Sequence, residues 1–416
     1  MSGWATALLV AINLGLIFFL MSAPLGIRSF TLRVRIRASR DKVWNALWPD
    51  GAEAGWSGQI IEARGEGEGR FHLTLSWDGR DGRPIERVAV MEDVTEGERF
   101  TTHYVEDSSL DPSFWSNFRE TVVLREDGDA TEVSVTVTDR YKGFAFFAFR
   151  YFAQRRSLLK LRRWAQTGKY HAGGIFEHPL TQLGMACLSI LILWSLTGWS
   201  GGGFLLAVLI TMVVALHELG HMIAFRIAGH RKVRMIFIPL LGGVAIGGRP
   251  YNSHFEVAFV ALMGAGFSAF LIPPLLMIGD SAAAAGHVIG AKFFAAIVAC
   301  VALFNLANVV PVWKFDGGQV LRQIVPGGTP LMAASFVLLT IFLAIVWVAG
   351  FPGYIVIGGG LVLALLSLIT SGNVVKPRFD LAPIDRQGRL AIAAALASVI
   401  VIHGTGVIWA FERLSV

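Results

Sequence analysis

Cysteine is scarce, with two in 416 residues. That count excludes a disulfide framework, and because Cys187 and Cys300 both lie in apolar stretches they read as small hydrophobes. Charge is scarce as well, at 16% of residues where an average soluble domain carries about a quarter. With 54% hydrophobic residues and a mean hydropathy of +0.57, this shortage excludes an ordinary soluble chain and points to a membrane protein. A phosphate-cradling glycine loop of the Walker type is missing, which leaves nucleotide chemistry without support. No internal repeat of broken spans appears, and the transporter class loses its usual signature. The net charge of +6 is not a nucleic-acid footprint, because most Lys and Arg flank apolar runs. No nucleic-acid partner is expected.

What is present is a series of long apolar runs. A membrane crossing needs about 20 such residues, and candidates fall at 3–23, 178–199, 204–228, 255–278, 290–312, 331–350, 352–371 and 391–411. That gives about eight spans, with the division between the sixth and seventh the least defined. Ser22-Ala23-Pro24 makes a poor cleavage site, so the first span reads as a retained anchor. Arg28, Arg33, Arg35 and Arg37 follow it, and Arg155 to Lys169 precede the second span. Arg226 to Arg234, Arg322, and Lys376 to Arg389 mark the other basic loops, while 200–203 and 280–291 hold no Lys or Arg. This alternation predicts a multi-pass protein of the cell (inner) membrane, with both termini outside and the large N-terminal insert in the cytosol.

That insert, 28–172, changes composition. Leu32, Val34 and Ile36 alternate with Arg33, Arg35 and Arg37, as in a half-buried strand. Ser39 precedes a short helix as its N-cap. Strand-like runs follow at Gly69–Trp77, Glu86–Met91, Phe100–Glu106, Asn117–Arg125 and Thr131–Asp139, and Gly143–Thr167 closes the region as a helix. Strand, short helix, antiparallel strands and a long final helix make up a helix-grip plan. The opening Val34–Trp44 and the closing Leu158–Trp164 resemble the START-like, or polyketide-cyclase-like, superfamily. The resemblance implies an apolar cavity under the last helix and a hydrophobic ligand as partner, and the reading that stands beside it is a cavity filled by side chains in a domain that only docks. Phe144, Phe146, Phe147, Phe149 and Phe152 begin that helix; of two readings, lipid contact with Arg155–Lys169 near anionic headgroups or a core face followed by a basic flank, the core face is favoured.

The chemistry-bearing residues lie in the apolar part. His217-Glu218-Leu219-Gly220-His221 sits in the third span. Residues four apart share a helix face, so both imidazoles can reach one metal, with Glu218 beside them as a proton acceptor. Three ionisable groups at membrane depth are costly unless they serve a site. Catalytic zinc usually takes three protein ligands. The third is sought in Asn308-Val309-Val310-Pro311-Val312-Trp313-Lys314-Phe315-Asp316-Gly317-Gly318, where Pro311 breaks the helix and Gly317 and Gly318 let the backbone turn. His230 and His254 read as loop histidines without a role, and Pro273-Pro274 as a kink in the fourth span.

His217–His221 followed by Asn308-x-x-Pro311-x-x-x-x-Asp316-Gly317 resembles the site-2 protease family of intramembrane metalloproteases. The resemblance covers roughly 178–371 and implies Zn2+ held by His217, His221 and Asp316, with Glu218 as general base and Asn308 steadying substrate or an oxyanion. Met235–Gly248, with Pro239, Gly242 and Gly243, is similar to the family's membrane-associated β-hairpin, an edge on which an extended substrate can lie. Gly264-Ala265-Gly266-Phe267-Ser268 stands where the family has Gly-Pro-x-x-Asn, and Phe315 and Trp313 stand where Leu and Pro are common. Gly242, Gly243, Ser268 and Pro311 are thereby assigned to substrate binding. The expected architecture is an anchor (1–25), a cytosolic α+β helix-grip domain (28–172), an α-helical protease-like core (176–373), and a basic loop with a last span (374–416). The implied activity is a zinc metalloendopeptidase acting on membrane-embedded protein substrates within the lipid bilayer. The competing reading is a non-catalytic receptor binding an apolar ligand. Three ligands rather than four, and an intact Glu218, count against it.

Overall fold

The computed structural model describes residues 3–170, 178–238, 242–312, 315–325, 327–370 and 378–415. Pro239, Trp313, Lys376 and the expected domain limits at 172, 176, 373 and 374 lie outside them. The chain divides into two compact units, Met1–Gly173 with Gly372–Asp380, and Gly174–Ser371 with Leu381–Val416.

The first unit opens with an apolar helix, α1 (Gly3–Met21). It runs into β1 (Pro24–Ile36), followed by α2 (Arg40–Leu47), whose first turn is capped by Ser39 Oγ accepting from Lys42 N–H. Then come β2 (Ile60–Gly67), β3 (Arg70–Asp78), β4 (Pro84–Thr95), β5 (Arg99–Asp107), β6 (Arg119–Asp127), β7 (Ala130–Lys142) and α3 (Phe144–Thr167). The sheet is antiparallel and seven-stranded in the order β1-β7-β6-β5-β4-β3-β2, the helix-grip arrangement. Strand β2 was not predicted, because Ile60–Gly67 is rich in Glu and Gly and buries none of its residues, so it lacks an apolar alternation. Alternate residues of the other strands point to one core. There Trp44 stacks on Trp48 at 5.1 Å and Phe100 meets both edge-on, while Leu158, Leu161 and Trp164 of α3 are buried among them.

Toward the start of α3 this inner face turns polar. Arg87 pairs with the buried Asp107 at 2.9 Å, and Arg150 of α3 pairs with Asp139 at 3.2 Å. Burial pushes the Glu120 carboxyl upward in pKa, opposed by Arg150 and by the Gln154 amide donating to it at 3.0 Å. A carboxyl raised on folding favours the folded state while protonated. That contribution is present below its unfolded pKa and is lost as pH rises through the folded one. Glu120→Gln is therefore expected to raise the thermal midpoint at about pH 8 while leaving it unchanged at about pH 4. An equal shift at both pH values would refute the assignment.

The second unit contains α4 (Pro179–Leu196), α5 (Gly201–Ile227), the hairpin β8 (Arg234–Ile238) and β9 (Gly242–Ile246), then α6 (His254–Ala269), α7 (Ile272–Ala284), α8 (Val288–Asn308), α9 (Asp316–Ile324), α10 (Thr329–Val348), α11 (Gly353–Thr370) and α12 (Arg386–Ser415). Among the described residues, six stretches are helical, long and apolar enough to cross a membrane: α4, α5, α6 with α7, α8, α10 and α12. Over Gly353–Leu365, α11 is a shorter apolar helix. The kink expected from Pro273-Pro274 is a break at Phe270-Leu271, with the prolines in the first turn of α7, where a missing N–H costs nothing. Buried side chains of α6, α9 and α12 share one core, and those of α5, α7, α8 and α12 share another. Both cysteines are free thiols.

Candidate metal centre

Two elements bring the three predicted ligands together. His217 and His221 lie one turn apart on α5, and Asp316 begins α9. Their Nε2 atoms are 3.1 Å apart, and Asp316 Oδ2 lies 3.0 Å from His217 Nε2 and 3.4 Å from His221 Nε2. All three side chains are buried, and Asp316 Oδ2 has no hydrogen-bond donor. Donor atoms about 2.0–2.1 Å from a tetrahedral zinc are spaced about 3.3 Å from one another, and the observed triangle matches that spacing.

The ring orientations support the same conclusion. Asn305 on α8 donates its amide to Val301 O at 2.8 Å, which turns its Oδ1 toward His217 Nδ1, also at 2.8 Å. His221 Nδ1 faces the Val260 carbonyl at 2.7 Å. Each Nδ1 must then carry the hydrogen, and each Nε2 presents a lone pair. Three lone-pair atoms converging with no donor between them repel unless a proton or a metal cation lies among them. The residues therefore fit a divalent metal, with outer-shell carbonyls fixing both imidazoles. Asn305→Leu is expected to weaken metal affinity about 10- to 100-fold, read by chelator competition. Unchanged affinity would remove Asn305 from the site.

Close backbone packing makes this convergence possible. A Cβ on Gly264 of α6 would sit 2.5 Å from His221 Nε2 and 2.6 Å from His217 Cε1. Gly317 was expected to relax a turn. Instead it lies in the first turn of α9, where a Cβ would overlap the Val309 backbone, so its role is close approach.

Glu218 is buried and points to the hairpin, where its Oε2 accepts from Ala245 N–H at 2.8 Å. The His217, Glu218 and His221 ligand atoms lie within 4.8 Å of one another. Gly243 lies so close to Glu218 Cγ that any Cβ there would overlap it. A cavity of about 260 Å³ opens over these groups, lined also by Asn308, Tyr251 and Gln319.

The remaining predicted residues divide. Gly243 and Asn308 line the cavity, although the Asn308 amide donates to its own helix at Phe304 O, 2.9 Å away. Gly242 packs toward Val214, at a φ of 102° that favours glycine. Ser268 is fully buried with its hydroxyl on the α6 carbonyls of Gly264 and Ala265, and it does not line the cavity. Pro311 lines a different, mostly apolar pocket of about 490 Å³ beside α10 and α11. His230 is no solvated loop residue: it is fully buried, 2.5 Å from Glu256, which also holds Arg249 at 3.0 Å. His254 bonds Gln323 of α9 at 2.6 Å.

Asn305 and Tyr251 were missed in the sequence. An Asn in an otherwise apolar stretch of α8 was a usable signal for the first; an aromatic in a loop is none for the second.

No protein-family model matches the chain, and no curated protein does. Solved structures are similar over about a third of it. One is the Aha1 dimer from Colwellia psychrerythraea, at 17% identity and a TM-score of 0.29, covering 34% of this chain and 98% of that one. Another is a START superfamily protein from Mycobacterium smegmatis, at 12% identity and a TM-score of 0.25, covering 32% and 93%. A third is CalU16 from Micromonospora echinospora, at 19% identity and a TM-score of 0.25, covering 33% and 74%.

Proposed function

We propose that this chain is a zinc-dependent endopeptidase of the site-2 protease type, cutting membrane-embedded proteins inside the bilayer. The triangle of His217, His221 and Asp316, with Glu218 at its edge and a cavity above it, carries the reading. Three ligands leave a position open, which suits catalysis better than a closed structural site. A metal bound there would supply Lewis acidity to a water and to a peptide carbonyl. Glu218, held at Oε2 by the Ala245 N–H, keeps Oε1 to take a proton from that water and pass it to the leaving amine. Asn308, on the cavity wall, is the candidate to steady the substrate carbonyl.

The hairpin supplies the other half of the site. Its strands pair from Arg234↔Ile246 to Ile238↔Gly242, and the Ala245 N–H points away from that pairing toward the metal residues. An extended substrate segment lying along β9 would present its backbone to Glu218. A helical peptide bond is shielded by its own turn, so the substrate must unwind locally first. The six membrane-length helices among the described residues and the alternation of basic loops support a multi-pass location in the cell membrane, with the first unit in the cytosol.

The test is metal content together with cleavage of a model transmembrane peptide by purified, reconstituted protein. Bound zinc with cleavage that a chelator stops and zinc restores is the expected result. Well-folded protein without metal affinity would overturn the reading.

A further inference from the structure

The first unit carries an exposed face that its own core does not explain. At sequence level the phenylalanines of α3 read as one core face, and the structure splits them. Phe146 and Phe147 turn inward onto Tyr141, at 5.7 and 5.0 Å between ring centroids. Phe149 and Phe152 point out, 68% and 61% exposed. Residues three and four apart share a helix face, so the same stripe continues through Arg155 and Leu159 to Arg162 and Arg163, all exposed.

What lies beside that stripe is set by the anchor helix. Gly143, just before α3, donates its N–H to Ala23 O at 2.8 Å, and Phe144 stacks on Phe19 of α1 at 5.4 Å. A Cβ on Gly143 would lie 2.7 Å from Met21 O, and its φ is +81°, so the end of α1 and the start of α3 are locked together. Helix α1 itself has no charged residue and exposes Leu8, Ile12 and Leu16, a surface that only an apolar medium covers well. Phe152 lies about 12 Å along α3 from that junction, at 1.5 Å per residue. Isolated exposed aromatics are ordinary, but these lie within about two to three turns of Phe144, which is itself exposed and stacked on Phe19 of α1.

Charge runs the same way. Exposed Arg28 and Lys142 stand at the anchored end of the β1–β7 pair. Asp127 and Asp129 stand at its far end, where they hold Arg35.

We propose that the outer face of α3 docks on the surface of an anionic bilayer. Phe149 and Phe152 enter the boundary between headgroups and acyl chains, and Arg155, Arg162 and Arg163 lie over the phosphates. The inference rests on α1 being embedded in the membrane. An aromatic stripe ending in arginines, on a helix pinned to an apolar one, orients the whole sheet with the Asp127–Asp129 turn away from the lipid.

The test uses the full chain with Cys187→Ser and Cys300→Ser, reconstituted in equimolar phosphatidylcholine and phosphatidylglycerol. Single labels are placed at Phe152→Cys, at Ile12→Cys as the embedded control and at Asp129→Cys as the aqueous control. Quenching by bromine-bearing lipid chains is compared with quenching by a water-soluble agent. Lipid quenching at 12 and 152, with only aqueous quenching at 129, is the expected result, and in pure phosphatidylcholine the signal at 152 should fall. If 12 is quenched by lipid and 152 behaves like 129, docking is refuted while the membrane reading stands. If 12 is not quenched by lipid, the membrane reading fails and docking fails with it. Equal lipid quenching at 152 in both bilayers would refute the part assigned to the arginines.

Discussion

Replacing Glu218 by glutamine is expected to leave the metal bound and to lower peptide hydrolysis by about 100- to 10,000-fold, the range of a positioned general base. The substitution is nearly isosteric, and the geometry around it is tight. Oε2 accepts the Ala245 N–H at 2.8 Å, and a glutamine carbonyl oxygen can occupy the same place. Gly243 packs against the Glu218 Cγ, which glutamine also keeps, so β9 has no reason to move. Glutamine lacks only the ability to accept and return a proton. The comparison is made on reconstituted protein, with metal content measured on the same sample as cleavage. Normal metal with cleavage reduced by this factor assigns the proton transfer to Glu218. Cleavage within a few-fold of the parent would show that another group is the base, with Glu218 only bracing the hairpin.

The sequence singled out the residues of the triangle for identifiable reasons. His217 and His221 sit at helical spacing in an apolar run, where ionisable groups are expensive and therefore informative. Asp316 was legible because Pro311 forces α8 to end and a carboxylate follows shortly after. The outer shell was not legible. Asn305 and Asn308 lie three apart on one helix face, and only the packing of α8 against α5 decides that Asn305 turns to His217 while Asn308 bonds its own helix and borders the cavity. Ser268 was placed in the site by family position. Its hydroxyl found carbonyls one turn back, the usual outcome for a serine inside a helix. His230 looked like a loop residue because its partner Glu256, which Arg249 also pairs, is distant in sequence. In the first unit the alternating strands were readable, whereas β2 pairs at an edge and buries no apolar row to announce it.

Asp316→Ala is expected to lower metal affinity by more than the roughly 100-fold limit for an outer-shell change, because it removes a ligand and not its support. The carboxylate supplies the only formal negative charge in the triangle, and it comes from α9, whereas both imidazoles come from α5. Without it, His217 and His221 keep two nitrogens 3.1 Å apart, close enough to share one proton and lose their demand for a cation. The position of α9 should survive. Gly317 still packs on the Val309 backbone, Gln323 still bonds His254, and Val320 remains fully buried. Near-parental helicity with metal affinity lost is therefore the expected pair of results, from circular dichroism and chelator competition on one preparation. Asp316→His provides the complementary arm: an imidazole in place of the carboxylate should recover much of the affinity if its ring reaches the centre. Parental affinity in Asp316→Ala would mean that the cation is held by His217, His221 and Glu218 instead. Glu218 would then be a ligand, and the proton acceptor would have to be sought elsewhere on the cavity wall.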